Sequence, residues 1–419
     1  MDAQTGTRQP RREAMKRTSP ERAKNETTPN PRQAPSRRRF GLATLGLAAA
    51  CSIALPVGAA DPIKIGTVLS VTGPAAFLGE DMKAGMELAV EQINAAGGIK
   101  GRKIEWTFYD AESQTQKGLN ALRRLMSQDK VDVVVGGGNM SGMALAMLQL
   151  TEKGKLPFMS TEGSMQIVNP VAERSFTFKS TVDDDQVIER LADYFAKRGI
   201  KKVGLLADSG GFGQSAVAQM KVVAPKRGLD VEYESFNPSD TDMTAQLAKL
   251  KSAGVKAIIC WTVTPAGVVF MKQAKAMNLD AQLIHSYGFV DKRYMDLAGE
   301  AAKDVLLVSV KFPVGAELPD SDSSKKQILA LTSAFEKKFG RTPNQFAAQT
   351  YDAINLVAKA MEGAGTDPAK LRTAIESTTQ WQGVGGTFNF SDKRHSGLSK
   401  DDLVLLRYEG GKFRLADYK

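Results

Sequence analysis

The fold is decided between residues 63 and 98. Ile63-Lys64-Ile65-Gly66-Thr67-Val68-Leu69 leads into a Gly/Pro turn, then Met82, Met86, Ala89 and Ile93 recur at helical spacing before Gly97-Gly98. The first seven residues have the near-continuous apolar pattern of a strand buried on both faces. The recurrence that follows is one face of an amphipathic helix, and the paired glycines are a helix stop. The same alternation continues outward, with strands at 104–109, 131–135 and 156–160 separated by helices around 115–127 and 142–153. A repeated strand–helix rhythm implies a mostly parallel sheet flanked by helices, an α/β architecture.

After Thr181 the rhythm restarts. A helix at 187–198, a strand at 202–207, a helix at 213–226 and a strand at 229–236 lead to Asn237-Pro238-Ser239-Asp240. That tetrapeptide reads as a cap before a helix whose Met243, Leu247 and Leu250 share one face. Next come a strand at 255–261, a helix at 268–277 and strands at 281–286 and 304–310. A longer helical stretch at 324–379 and a terminal strand pair, 386–390 with 402–408, complete the chain. Two open α/β sheets that meet at their strand C-termini create a cleft, and ligands bind beyond those ends. The loops that would line it are 70–80, 136–142, 160–165, 207–213, 261–266 and 286–290.

The chain has 419 residues, 42% hydrophobic and 24% charged, which excludes a wholly disordered chain or a membrane bundle. Its net charge of +10 invites a nucleic-acid or anionic-membrane partner, so the position of the charge matters. Residues 1–39 carry eleven basic against four acidic residues, and the segment has no apolar periodicity. Residues 40–60 carry no charge and end in Val57-Gly58-Ala59-Ala60. A basic region, a short apolar stretch and small residues form an export signal, and Ser36-Arg37-Arg38-Arg39-Phe40 reads as its twin-arginine form. Pro56 and Gly58 interrupt the apolar stretch, which favours cleavage over a membrane anchor. Cys51 follows Ala48-Ala49-Ala50 without the aliphatic residue a lipidation site has three positions earlier, so lipid attachment is not expected. Residues 61–419 keep 45 of the 56 basic and 42 of the 46 acidic residues, so the excess charge belongs to the leader. A periplasmic address and no nucleic-acid partner are expected. Cys260 is the one cysteine left after processing, which rules out an intramolecular disulfide.

Motifs for chemistry are sparse. Neither His285 nor His395 belongs to a metal-binding spacing, and G-x-S-x-G and G-x-x-x-x-G-K-[ST] do not occur. No catalytic residue, metal or cofactor is expected, and His285, ending a strand, reads as a structural or cleft residue. Gly136-Gly137-Gly138 lacks the full G-x-G-x-x-G spacing and follows a later strand, which argues against a dinucleotide loop. It either packs a tight turn or brings Ser141 and the first helical amides to a small anion. Phe212, in Gly210-Gly211-Phe212-Gly213, is a core cap or a cleft wall. Asp183-Asp184-Asp185 reads as a solvated helix start rather than a metal site.

Several motifs together resemble the periplasmic leucine/isoleucine/valine-binding proteins of ABC transporters. They are Ile63-Lys64-Ile65-Gly66, Thr72-Gly73-Pro74, Gly79-Glu80-Asp81, the run from Ile93 to Arg102, Tyr109-Asp110, Thr241-Asp242-Met243, Ala298-Gly299-Glu300-Ala301-Ala302 and Thr350-Tyr351-Asp352-Ala353. The resemblance implies the two-lobed type I periplasmic binding fold with a three-segment hinge. One lobe would comprise 61–181 and 313–390, the other 182–312 and 391–419. It further implies a monomer, not an enzyme, that closes on one branched-chain amino acid or related small carboxylate and delivers it to an inner-membrane ABC permease. A ligand sensor without transport would use the same fold.

The family's contacts carry over residue by residue. Its carboxylate-holding serine matches Ser141, with Asn139 beside it, and its next loop reads Ser160-Thr161-Glu162-Gly163-Ser164 here. Ser164 keeps the family's hydroxyl, while Glu162 departs from an alanine-rich pattern. The family's aromatics fall at Leu78, Phe212 and near Phe346. Its acidic residue for the ligand ammonium falls at Tyr287, and that residue's partner tyrosine falls at Val263, after Cys260-Trp261-Thr262. A buried ammonium without a counter-charge is costly. Either Glu162 takes over that role, or the ligand is an aromatic or keto acid packed against Phe212, Tyr287 and Trp261.

Overall fold

In the computed structural model, residues 61–303 and 305–416 are described. Residues 1–60, on which the expected export signal and Cys51 fall, lie outside the described residues, as do Asp304 and 417–419. Strand β1 (Ile63–Leu69) lies inside a five-stranded parallel sheet with β2 (Ile104–Asp110), β3 (Val133–Val135), β4 (Phe158–Ser160) and β5 (Thr177–Lys179), in the order β2-β1-β3-β4-β5. All but one of its residues are buried, as its apolar pattern requires. The sequence did not announce β5, because three residues are too short to show a period and the last is a lysine.

The second sheet has seven strands. β6 (Lys202–Asp208), β7 (Asp230–Phe236), β8 (Ala257–Trp261), β9 (Gln282–His285) and β10 (Leu306–Val310) pair in parallel. The short strands β11 (Trp381–Gln382) and β12 (Thr387–Phe388) form a separate pair. β13 (Leu403–Glu409) and β14 (Lys412–Leu415) then complete the order β14-β13-β10-β9-β8-β6-β7, both antiparallel to their neighbours. The terminal pair expected between 386–390 and 402–408 therefore does not form. Leu403, Leu405 and Leu406 bury themselves beside β10, and Gly410-Gly411, both at positive φ, turn the chain back into β14.

The helical stretch 324–379 divides into Lys325–Phe339, Gln345–Ala364 and Pro368–Glu376. Asn344 and Asp367 cap the second and third by accepting backbone amides. Helix Gln345–Ala364 packs on helix Ala76–Ala95, beside the first sheet, and Thr350 Oγ1 donates to Met82 O at 2.7 Å. The contact is close because residue 85 is glycine: a Cβ there would stand 2.1 Å from Ala347 O. The chain thus passes between two α/β lobes three times, after β5, after β10 and between β12 and β13.

Asp184 opens helix Asp184–Arg198 at the first crossing, and the acidic run there is not solvated as expected. Asp183 and Asp184 are buried, and Asp183 pairs with the buried Lys179 at 2.8 Å, with Arg394 at 3.3 Å and with the Ser396 hydroxyl. Sequence alone could not show these partners, since Arg394 and Ser396 arrive on the third crossing.

Asp352, on helix Gln345–Ala364, accepts Val384 N at 3.0 Å and Gly385 N at 2.8 Å. Burial pushes its pKa up to about 7, against these two amides. Between the ordinary aspartate value and about 7 the native chain therefore binds a proton that the unfolded chain has released. The stability this group contributes is present below the unfolded pKa and is lost as pH rises through about 7. Denaturant titrations of wild type and Asp352→Asn at several pH values should show the variant gaining on wild type from pH ~5 to ~8. A constant difference across that range would contradict this account of Asp352.

Candidate ligand-binding cleft

In each sheet the strand order reverses beside the first strand of its unit, between β1 and β3 and between β6 and β8. Crevices at strand C-termini open at such switch points. The loops after β1, β3, β4, β6, β8 and β9 meet there, around a chamber of about 50 Å³.

Leu78 and Met82, one turn apart on helix Ala76–Ala95, form part of the first-lobe wall together with Asn139–Gly142 and Thr161–Gly163. Asp208, Gly210–Phe212, Val263 and Tyr287-Gly288 face them from the second lobe, while Phe346 and Gln349 come from helix Gln345–Ala364. Asn139 adopts φ 75°, a conformation asparagine tolerates better than most residues, and its Nδ2 donates to Ser70 O at 2.6 Å and Ala75 O at 3.2 Å. This ties the loop after β3 to the loop after β1.

Ser141 opens helix Ser141–Gly154, and Gly211 opens helix Gly211–Arg227 in the opposite lobe. A Cβ on Gly211 would lie 3.0 Å from Gly142 N, so the positive ends of the two helices lie almost in contact at the edge of the chamber. Among the described residues, the amides of Ser141 and Gly142 have no acceptor. Ser141 Oγ accepts Ser164 N at 3.2 Å, which leaves its own proton to donate.

The two carboxylates lining the chamber are already engaged. Glu162 Oε1 accepts Gly137 N and Asn139 N, both at 2.9 Å, and the Thr161 hydroxyl at 3.2 Å. Its Oε2 accepts the Ser160 hydroxyl at 2.7 Å and Thr161 N at 3.0 Å. These donors use the acceptor capacity of one carboxylate. Burial raises the Glu162 pKa, and the Ser160 hydroxyl and the three amides oppose that shift. Asp208 accepts Gly210 N at 2.8 Å; burial raises its pKa too, against the Thr262 hydroxyl and the Gly210 and Gly213 amides.

Phe212 and Tyr287 meet edge to face at 5.4 Å, and the Tyr287 hydroxyl lies 3.3 Å from Asp184 Oδ1. Burial pushes the Asp184 pKa up to about 6, against Lys179 and the Ser215 hydroxyl. Gly163 is the residue that lets these rings approach the first lobe, because a Cβ there would stand 2.5 Å from both Phe212 and the Tyr287 hydroxyl.

Of the residues singled out in the sequence, Leu78, Asn139, Ser141, Glu162, Gly163, Phe212, Val263, Tyr287 and Phe346 line the chamber. Ser164 and Trp261 do not reach it. Ser164 turns its hydroxyl to Gln166 N, capping a short turn behind the wall. Trp261, fully buried at the end of β8, supports Phe212 from behind at 5.7 Å. His285 is also buried, stacked on Phe289 at 4.0 Å with Nε2 against Gly267 O, and burial lowers its pKa to about 3.

Met82, Thr161, Thr181, Asp208 and Gln349 line the chamber without having been singled out. Spacing offered a signal for two of them: Met82 follows Leu78 by four positions and Gln349 follows Phe346 by three, each about one helical turn.

A second interlobe contact has no ligand-facing atom. Arg293 Nη2, from the second lobe, donates to Phe77 O at 2.6 Å, Asp81 Oδ2 at 2.6 Å and Asp291 Oδ2 at 2.7 Å. Asn344 Nδ2 bridges Asp81 at 2.7 Å and Asp291 at 2.8 Å, and Arg341 also pairs with Asp81. The two lobes are thus latched closed by charged groups whose carboxylates, Asp81 and Asp291, are buried.

Two α/β lobes joined by three crossings, with a chamber built from both sets of strand ends, define a solute-binding protein of the two-lobed kind. The chain belongs to the periplasmic binding protein family, whose sequence model matches residues 62–412. It is 28% identical over 371 residues to the Leu/Ile/Val-binding protein homolog 3 of Brucella melitensis, covering 87% of this chain and 96% of that protein. It is also 28% identical to the leucine-, isoleucine-, valine-, threonine- and alanine-binding protein of Pseudomonas aeruginosa, over 80% of this chain and 87% of that one. Among solved structures, the branched-chain amino acid transporter substrate-binding protein of Streptococcus pneumoniae in complex with isoleucine is 26% identical, with a TM-score of 0.71 over 84% of this chain and 98% of that one. An extracellular ligand-binding receptor of Rhodopseudomonas palustris, 24% identical, shares the fold with a TM-score of 0.78 over 85% of this chain and 99% of that one. No helix among the described residues is long and apolar enough to cross a membrane.

Proposed function

We propose that this chain is the solute-binding component of an ABC importer and that its ligand is a small carboxylate with an apolar or aromatic body and no α-ammonium group. One observation carries the reading: both acidic side chains lining the chamber are engaged by donors of their own lobes, whereas the Ser141 hydroxyl proton and the Ser141 and Gly142 amides are not. The ligand carboxylate is held there, at the N-terminus of helix Ser141–Gly154. The atoms next to the carboxylate pack against Leu78, Phe212, Tyr287 and Phe346. An α-ammonium at Glu162 would have to displace donors already bound to that carboxylate, at a cost of several kcal/mol.

The mechanism is hinged closure. Ligand bridging both lobes favours the closed state, and an inner-membrane permease recognises that state. The protein reaches the periplasm through the twin-arginine signal at 36–40 and acts there as a monomer. A second reading, a branched-chain amino acid as ligand, is favoured by the names of the relatives above.

Ser141→Ala tests the anchoring step. Removing a hydroxyl that donates to a carboxylate should weaken calorimetric binding of 4-methyl-2-oxopentanoate or phenylpyruvate by about 10- to 100-fold. Unchanged affinity would remove Ser141 from the site.

A further inference from the structure

Beside the inner chamber lies a larger one, about 440 Å³, also built by both lobes. Pro74, Phe77 and Met140 bound it on the first lobe, and Pro265 and Val269 on the second. Asp240 is the one ionisable side chain in its lining. Met140 and Val263 line both chambers and are each half-buried, so they form the wall that the two chambers share. Val263 is held in place, since its carbonyl accepts the Tyr294 hydroxyl at 2.8 Å. Met140 is an unbranched, adaptable side chain.

Volume decides what each chamber can take. An apolar cavity of about 150 Å³ accommodates one benzene ring. The inner chamber, at about 50 Å³, has room for a carboxylate head and a few attached atoms, while the outer one exceeds the needs of a ring. We infer that the ligand spans both chambers, with its carboxylate at Ser141 and an elongated aryl or alkyl body passing between Met140 and Val263 into the outer chamber. This inference rests on the carboxylate-binding reading above and adds the length and shape of the ligand. The outer chamber then acts as a selector for acids that place a ring or chain several bonds from the carboxylate.

Calorimetric titration with pyruvate, 2-oxobutanoate, phenylacetate, 3-phenylpropanoate and 4-phenylbutanoate tests the arrangement. Affinity should rise by at least about tenfold from the shortest acids to the longest, as apolar surface enters the outer chamber. Val269→Trp and the exposed Thr241→Trp, which border only the outer chamber, should each remove that gain while leaving the short acids within about twofold of wild type. Two surfaces are probed so that a folding defect in one variant does not decide the result. Short acids binding as tightly as long ones, or both tryptophans weakening short and long acids equally, would overturn the two-chamber ligand and leave the carboxylate site standing. Binding of no acid of any length would overturn the carboxylate reading itself, and the two-chamber ligand with it.

Discussion

Replacing Glu162 by leucine is expected to cost the native state about 4 kcal/mol or more and to abolish ligand binding. Leucine is close to glutamate in volume but accepts nothing. The amides of Gly137, Asn139 and Thr161 and the hydroxyl of Ser160 would remain buried without an acceptor. Each such donor costs about 1–3 kcal/mol, so even partial relaxation leaves a loss of several kcal/mol. The same amides shape the turn that places Asn139 and Ser141, which is why binding should fail together with stability. Glu162→Gln keeps one oxygen and should cost about 1–2 kcal/mol. Urea titration checks both values. A leucine variant within about 1 kcal/mol of wild type would show that the donors find other partners, and would reopen Glu162 as a ligand-facing group.

Arg293→Ala is expected to shift the lobes toward the open state. Arg293 is half-exposed, but its acceptors Asp81, Asp291 and the Phe77 carbonyl are fixed at the seam between the lobes. Arg341 and Asn344 would still serve Asp81 after the substitution, so the fold should survive while closure weakens. Losing charge-assisted bonds worth about 1.5–3 kcal/mol in the closed state alone lowers its population by about 10- to 100-fold, and ligand affinity falls by the same factor. Small-angle scattering should show a larger radius of gyration for the unliganded variant. Equal radii and equal affinities would mean that the latch does not govern closure.

How legible these features were depended on how local they are. The βα rhythm from Ile63 to Gly98 needs only neighbouring residues, and the switch-point rule then picks out the loops that build the chamber. Leu78, Ser141, Phe212 and Tyr287 were found this way, with the family resemblance supplying their register. The latch was not legible. Asp81, Arg341 and Asn344 come from segments of one lobe far apart in sequence, and Arg293 reaches them from the other lobe. Asp183-Asp184-Asp185 was misread for the same reason, because its burial depends on Lys179 from one crossing and Arg394 and Ser396 from another. Ser164 and Trp261 sit in the right loops but turn into the walls behind them, a choice of side-chain direction that spacing does not encode. The strand β14 escaped notice because Lys412–Leu415 is short and largely exposed.

The cleft is expected to take a carboxylate that carries no ammonium group. Matched pairs test it most directly: leucine against 4-methyl-2-oxopentanoate, and phenylalanine against phenylpyruvate, each measured by the melting temperature of the processed protein. A ligand that binds only the native state raises that temperature with concentration. A rise is expected with each oxo acid and none with the amino acid of the same carbon skeleton. A rise with leucine and phenylalanine while both oxo acids stay silent would contradict it.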